Sequence, residues 1–322
     1  MDKKRHHYVR KAYLRSFCDD TGKVLVYRKD DPSKAIPLSP DNTAFHKYDY
    51  SQPTPEGGKD HNALEDFFCK VEDKWPGIVD RLHRHENVND SLEDIFQFIA
   101  LQRVRVPASR DAIEKFEGER TKAEVRVLDA AGQLPPKPAG FEDILDHIEV
   151  AIDPHQSIHA MVHMVRGFGQ VFDQMGFGAL HNKTDVTFLT SDNPVVWFDP
   201  SVPEADLQPY VLRPGGPVML LFPVSPSLVI VGDSFARDEF VADGMGMADL
   251  SNTHLAKVIN RQVCRFSYEA VFAQKARHEK LIQKHAALSP VPQFERVSMR
   301  KGEIVAFQMV FGKRERKPKW VE

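Results

Sequence analysis

The spacing of apolar residues changes once along this chain, and that change limits the folds open to it. Between about 60 and 180, apolar residues recur at steps of three and four, the period of helices that bury one face. From Val186 onward they form short runs separated by proline and glycine, which is typical of strands. Segregated helices and strands predict an α+β fold rather than alternating α/β units.

Local signals divide the helical part. A capping box of Ser91 with Asp94 predicts one helix start, and the pair Asp153-Pro154 predicts another. Residues 134–140, which contain three prolines and a glycine, predict a loop. We expect helices at 64–82 with a kink or restart near Pro76, from Ser91 to Val106, at 108–130, at 141–150 and from Asp153 to about Met175.

Strands are predicted at both ends of the chain. We expect them at 23–28, 36–38, 186–190, 195–198, 218–222, 228–231, 266–272 and 303–311, with one helix at about 248–261. Strands that enclose a helical middle suggest that the N-terminal strands join the C-terminal sheet. We therefore predict a single domain over residues 1–322. Its helical block (about 60–180) should pack on a largely antiparallel sheet (about 186–312, plus 20–40).

Composition and missing motifs exclude several classes. The 43 basic and 46 acidic residues nearly balance, so no overall field favours nucleic acid. Three widely separated cysteines argue against a disulfide scaffold and fit a reducing compartment. The sequence has no apolar run of the ~20 residues that a membrane span needs and no signal-peptide core, so we expect a soluble cytoplasmic protein with no membrane partner. It also lacks a phosphate-binding loop, a dinucleotide fingerprint and a Gly-x-Ser-x-Gly elbow.

The run Thr190-Ser191-Asp192-Asn193-Pro194 interrupts an apolar strand pattern. Pro194 disfavours helical geometry at Asn193, and Asn-Pro favours a turn, so we predict Asp192 at the rim of a sheet. The alternative is an Asx-turn, in which the carboxylate of Asp192 only satisfies its own backbone. Spacing alone does not decide between them.

Short motifs in a fixed order resemble one protein family. They are His6-His7-Tyr8-Val9, Tyr13-Leu14, Phe17, Gly22, the strand Val24 to Tyr27, Tyr50, Glu65, Glu72, Gln102, Arg105, Pro107, Thr190 to Pro194, Phe222 to Pro226, Asn260 and Ala270 to Ala273. Together they resemble a bacterial domain-of-unknown-function family, number four-two-three-eight, over roughly residues 6–273. Arg10 stands where the resemblance leads us to expect proline. The resemblance implies no established activity.

Two histidines and two glutamates among these residues are candidates for a site. Since His6 and His7 are adjacent in an extended segment, their side chains point to opposite faces, and at most one readily faces a common site. Glu65 and Glu72 are seven residues apart on one helix, which places them on one face about 10 Å apart. The alternatives are exposed histidines and a solvated charged helix face.

One imidazole with Glu65, Glu72 and Asp192 is an oxygen-rich set that suits Mg²⁺ or Mn²⁺. Such a cation activates water and neutralises phosphate charge, so we predict a metal-dependent phosphoester hydrolase or nuclease acting on nucleic acid or a nucleotide. Its acid–base and orienting residues would be His6 or His7, Asp192, Gln102 and Arg105. The alternative is a non-catalytic ligand-binding or protein-interaction module with a structural polar network. A cluster open to solvent favours the enzyme, and a sealed one favours the module.

Three further histidines, His155, His159 and His163, repeat at steps of four along the helix that begins at Asp153-Pro154. Neighbouring imidazoles at that step can chelate Zn²⁺. No glutamate follows His155 or His159 directly, so the metalloprotease pattern is absent. A partly exposed histidine face is the alternative.

Overall fold

The computed structural model describes residues 4–299 and 302–317. The α-helices are α1 (Lys11–Arg15), α2 (Ala63–Glu72), α3 (Trp75–His83), α4 (Leu92–Val104), α5 (Pro107–Ala130), α6 (Ile144–His147), α7 (Pro154–Phe172), α8 (Arg237–Asp243), α9 (Thr253–Phe266) and α10 (Glu279–His285). The strands are β1 (Arg5–His7), β2 (Val24–Arg28), β3 (Asp31–Leu38), β4 (Phe45–Lys47), β5 (Gln52–Pro53), β6 (Lys59–Asp60), β7 (Gly176–Asn182), β8 (Thr190–Ser191), β9 (Val196–Phe198), β10 (Met219–Ser225), β11 (Leu228–Asp233), β12 (Gly246–Leu250), β13 (Ala270–Ala273), β14 (Ser289–Met299) and β15 (Gly302–Gly312).

Two sheets and a long hairpin contain most of the strands. One sheet has the order β12-β7-β11-β10-β9 and is antiparallel except for the β12–β7 pair. The other has the order β3-β2-β13-β8 and is wholly antiparallel. Strands β14 and β15 pair with each other. The α+β prediction is confirmed, and β2 and β3 do join strands from the C-terminal part.

The helical predictions were largely correct. The chain breaks between α2 and α3, and Pro76 lies in the first turn of α3, where a missing N–H costs nothing. The capping box was wrong, because the Ser91 side chain makes no cap hydrogen bond and instead donates to Asp90 at 3.1 Å. The helix at 141–150 shrinks to the single turn of α6. The chain after it lies so close to α5 that a side chain on Gly118 would meet the carbonyl of Val150 at 3.3 Å.

The strand predictions missed the short strands β1, β4, β5 and β6 and the longer strands β7, β12 and β14. Strand β7 lies inside the five-stranded sheet, but glycines at 176 and 178 weaken its sequence pattern. Only glycine fits at 176, because a Cβ there would stand 2.1 Å from the carbonyl oxygen of Ala236. The strand predicted at 186–190 is reduced to Thr190–Ser191. Leu189 does not join the sheet, because its N–H donates to the side chain of Asn260 at 2.8 Å instead of to a neighbouring strand.

Aromatic packing joins the helical block to the sheets. Trp75 of α3 stacks on Phe98 of α4 with ring centroids 4.0 Å apart, and both contact Phe222 of β10. The Tyr13 hydroxyl donates to the carbonyl of Pro223 at 2.6 Å and lies 2.6 Å from the Thr190 hydroxyl. The N-terminal helix is therefore anchored to strands from both sheets. No helix in the described parts of the chain is long and apolar enough to cross a membrane.

Candidate functional site

The carboxylate of Glu72 lies between two arginines. Its Oε1 is 2.6 Å from Nη1 of Arg105, and its Oε2 is 2.8 Å from Nε of Arg10. The side chains of Glu72 and Arg105 are 0% and 1% exposed, so these charges are sealed from solvent. Arg105 also donates from Nε to the carbonyl of Tyr8 at 3.0 Å. This arrangement connects the end of α2, the end of α4 and the chain that leads into α1.

His6 belongs to the same cluster. The Tyr50 N–H donates to Nδ1 of His6 at 2.8 Å, and the two rings stack with centroids 5.6 Å apart. The Tyr50 hydroxyl donates to the carbonyl of Arg105 at 3.0 Å. We call Glu72, Arg105, Arg10, His6 and Tyr50 the Glu72 network. Since Nδ1 of His6 accepts a hydrogen bond, a neutral His6 carries its proton on Nε2.

His7 points the other way, as the extended geometry of β1 predicts. Its ring contacts Phe45 with centroids 5.5 Å apart, and its buried Nε2 has no hydrogen-bond partner among the described residues. Burial, with a smaller effect of the Lys11 charge, lowers the pKa of His7 to about 4. His7 is therefore neutral at pH 7, and His6 is the histidine that lies in the network.

Glu65 and Gln102 lie inside the protein. Glu65 is buried on α2 as Glu72 is, which agrees with the predicted shared face. Burial lowers the pKa of Arg10, but Glu72, Cys69 and Glu65 together outweigh it and leave that pKa above its usual value. Gln102 is fully buried, and neither atom of its side-chain amide has a hydrogen-bond partner among the described residues.

Asp192 makes its contacts elsewhere. It directly follows β8, at the edge of the four-stranded sheet, but it is fully buried. Its two carboxylate oxygens accept hydrogen bonds from the backbone N–H groups of Tyr268 and Glu269, at 2.9 and 2.6 Å. The sheet-edge position is as predicted, but the bonds go to backbone 76 and 77 residues away rather than to an Asx-turn. Burial, followed by repulsion from Glu269, raises the pKa of Asp192 to about 6.

The structure thus brings His6, Glu72 and Arg105 into one network and places Asp192 on the backbone before β13. No three His, Cys, Asp or Glu side chains in residues 4–299 and 302–317 lie together as a metal site would require. Sequence reasoning did not assign a role to Arg10 or Tyr50. Arg10 has φ of −62°, the value that proline imposes, so it keeps the geometry of the expected proline while its side chain binds Glu72.

On α7, the Asp153 side chain accepts from the His155 N–H, so the predicted cap is confirmed. The Nε2 atoms of His155 and His159 lie 2.8 Å apart, as the four-residue step predicts. His163 is exposed.

Two cavities open elsewhere on the protein. One, of about 940 Å³, lies between α5, residues 149–152, the β14–β15 hairpin and residues 313–317, and we call it the α5–hairpin cleft. The other, of about 330 Å³, is lined mainly by hydroxyl, amide and histidine side chains, including those of His83, Thr187 and Ser225. Neither is lined by any of the seven predicted site residues.

A family model described as a protein of unknown function (DUF4238) matches residues 5–277. The chain belongs to the DUF4238 family. The match confirms the family resemblance read from the short motifs. No curated protein and no solved structure matches the chain. The DUF4238 match includes the Glu72 network and Asp192 but ends before α10, the β14–β15 hairpin and residues 313–317.

Proposed function

We propose that this DUF4238 protein is a non-catalytic binding module, in which the Glu72 network is structural and the α5–hairpin cleft receives the ligand. One observation carries the proposal. The carboxylate of Glu72 is buried, and both of its oxygens lie within 2.8 Å of a guanidinium nitrogen. A carboxylate that neutralises two arginines inside the protein is not free to bind a metal ion or a proton of a substrate.

The contacts of Asp192 support the same proposal. Its two oxygens accept main-chain N–H groups, which fixes the backbone just before β13. Such bonds satisfy a buried carboxylate and hold a loop in place. Asp192 therefore has a structural task that needs no bound substrate.

The α5–hairpin cleft supports the binding part of the proposal. Its volume of about 940 Å³ is in the range of sites that take small molecules or short peptides. Charged side chains such as Asp111 and Lys115 line it together with apolar ones such as Val291 and Phe294. Because about half of its lining residues are charged, the cleft suits a ligand that itself carries charges.

Two measurements test the proposal. Calorimetric titration should show no binding of Mn²⁺ at Glu65, Glu72 and Asp192. Hydrolysis assays on bis(p-nitrophenyl) phosphate, DNA and RNA should show no metal-dependent activity, in wild type or in Gln102→Met. Hydrolysis by wild type that the folded variant loses would contradict the non-catalytic assignment. In a thermal-shift panel of dinucleotides, hexoses and pentapeptides, a ligand of the cleft should stabilise wild type more than Asp111→Asn. If every compound of the panel stabilises wild type and Asp111→Asn equally, or none stabilises either, the assignment of the cleft as the ligand site is contradicted.

The second candidate is the metal-dependent phosphoester hydrolase. Its support comes from buried polar atoms at predicted site residues that lack hydrogen-bond partners among the described residues, namely Nε2 of His7, both amide atoms of Gln102 and Nη2 of Arg105. The two oxygens of Glu72 also lack a well-aligned hydrogen bond, but they lie at ion-pair distance from Arg10 and Arg105, which satisfies their charge. Buried polar atoms are normally paired, and exceptions occur at functional sites. Mg²⁺ or Mn²⁺ at Glu65, Glu72 and Asp192 would require the two arginines to release Glu72. The hydrolysis assays above decide between the candidates.

A further inference from the structure

Residues 313–317 follow β15 and run along one wall of the α5–hairpin cleft. Two carboxylates of α5, those of Asp111 and Glu114, line this cleft together with Tyr268. We call these two carboxylates and that of Glu269, the residue after Tyr268, the acidic wall. All three lie within the part of the chain that the family model matches, whereas residues 313–317 lie beyond it. The acidic wall therefore lies inside the matched region, and residues 313–317 lie outside it.

Two hydroxyl groups fix the two α5 carboxylates of the acidic wall. The Tyr268 hydroxyl donates to Oδ2 of Asp111 at 3.0 Å, and the Ser157 hydroxyl donates to Oε1 of Glu114 at 2.9 Å. Glu114 is only 4% exposed. A carboxylate so deeply buried needs a positive partner, because burial penalises an isolated charge by several kcal/mol. The α5 part of the wall is thus a fixed, partly buried acidic surface that favours a cation beside Glu114.

Side chains of residues 313–317 meet this wall with matched charges. Nζ of Lys317 contacts Glu114 and lies 3.2 Å from Oδ1 of Asp111. Arg314 contacts Glu269 and lies over the Tyr268 ring, 5.1 Å from its centroid. Burial lowers the pKa of Lys317, but Asp111 and Glu114 outweigh it, and the pKa is above its usual value.

The central charge is also matched, with the opposite sign. Glu315 lies between the two cations in sequence and pairs with Lys115 of α5 at 2.7 Å. Along residues 314–317 the acidic wall and Lys115 beside it therefore contact a cation, an anion and a cation in turn. A single ammonium compound would use only one of these contacts, whereas an extended peptide uses all three.

We propose that the acidic wall is a binding site for an extended peptide that carries arginine and lysine three residues apart, and that the protein's own residues 313–317 occupy this site. This inference rests on the proposed binding function and names its ligand class. A partner peptide would displace residues 313–317 and gain the remaining open volume of the cleft, which apolar residues such as Val291 and Phe311 line.

Displacement is energetically accessible. The side chains of Arg314, Glu315 and Lys317 are 30%, 76% and 43% exposed, so water and salt weaken their ion pairs. Exposed segments held by few apolar contacts open locally at a small fraction of the global unfolding free energy. Held in cis, residues 313–317 compete at a high effective concentration, and a partner peptide binds more weakly for as long as they stay in place.

The test uses full-length protein and a fluorescein-labelled peptide of residues 311–317, Phe-Gly-Lys-Arg-Glu-Arg-Lys, followed by anisotropy at low salt. The double variant Arg314→Ala/Lys317→Ala, which frees the wall, should bind the peptide about tenfold more tightly than wild type. Adding Asp111→Asn and Glu114→Gln should abolish that gain, and Glu269→Gln, at a half-exposed position, should weaken it. The same peptide with Gln at the positions of Arg314 and Lys317 is the matched control and should not bind.

Circular dichroism first establishes that each variant is folded. No gain in the double variant, or a gain that survives loss of the wall carboxylates, would overturn the inference. A cleft ligand of another class combined with no peptide binding would overturn this inference and leave the proposed function standing. Metal-dependent hydrolysis in the assays above would overturn the proposed function instead.

Discussion

Replacing Glu72 by Gln tests whether the Glu72 network holds the helical block in place. Glutamine keeps the size of the side chain and one acceptor oxygen but removes the negative charge between Arg105 and Arg10. Arg105 keeps its hydrogen bond to the Tyr8 carbonyl, yet its guanidinium, in a side chain 1% exposed, is left without a counter-charge. Arg10 loses less, because 19% of its side chain reaches solvent.

Removing one partner of a buried ion pair costs about 3–5 kcal/mol, since the other charge stays buried and unpaired. We expect the free energy of unfolding of Glu72→Gln to fall by about that amount. With a urea slope of about 3 kcal/mol per molar, the midpoint should fall by about 1 M or more. Far-ultraviolet circular dichroism and tryptophan fluorescence should report the same transition, because Trp75 is buried against Phe98.

The matched control is Glu86→Gln. Glu86 also pairs with an arginine, since its Oε1 lies 2.5 Å from Nε of Arg84, but both side chains are about half exposed. Solvent screens such a pair, so the control midpoint should not move measurably. If Glu72→Gln changes the midpoint no more than Glu86→Gln, the network does not fix the fold and the argument for a structural role of Glu72 is refuted.

Other residues give further predictions. Gln102→Met should leave the free energy of unfolding unchanged or raise it by up to about 1 kcal/mol, because it removes a buried amide without hydrogen bonds. A fall of more than about 1 kcal/mol in urea unfolding would show that the amide is paired. The pKa of Asp192 rises from 3.8 to about 6, so the folded state holds a proton that the unfolded chain releases, and the contribution of Asp192 to stability should fall by about 3 kcal/mol as pH rises from 4 to 6. Asp192→Asn should remove this slope in urea midpoints measured across that range. For His7 the sign is opposite: its pKa falls from 6.5 to about 4, so its contribution is lost as pH falls through that window, and His7→Gln should flatten the loss. Ni²⁺ titration should show weak binding, in the micromolar range or above, that His159→Ala abolishes, because Nε2 of His155 and Nε2 of His159 lie 2.8 Å apart; equal binding by the variant would exclude that pair.

Elements with strong local signals could be predicted from the sequence. The three-and-four spacing of apolar residues located α2 to α4, and the Asp153-Pro154 pair located the start of α7, because these signals depend on residues only a few positions apart. Strand β7 could not be predicted. Its glycines weaken strand propensity, and Gly176 is required only because Ala236 approaches it in the folded chain.

The sequence by itself determined the α+β class and the family, because composition, periodicity and short motifs are local properties. Only the tertiary structure decided which partners the candidate site residues contact. It buried Glu72 between Arg10 and Arg105, and it placed the carboxylate of Asp192 on backbone N–H groups more than seventy residues away. The role of a charged side chain depends on burial and on its partners, and both are fixed by contacts between distant parts of the chain.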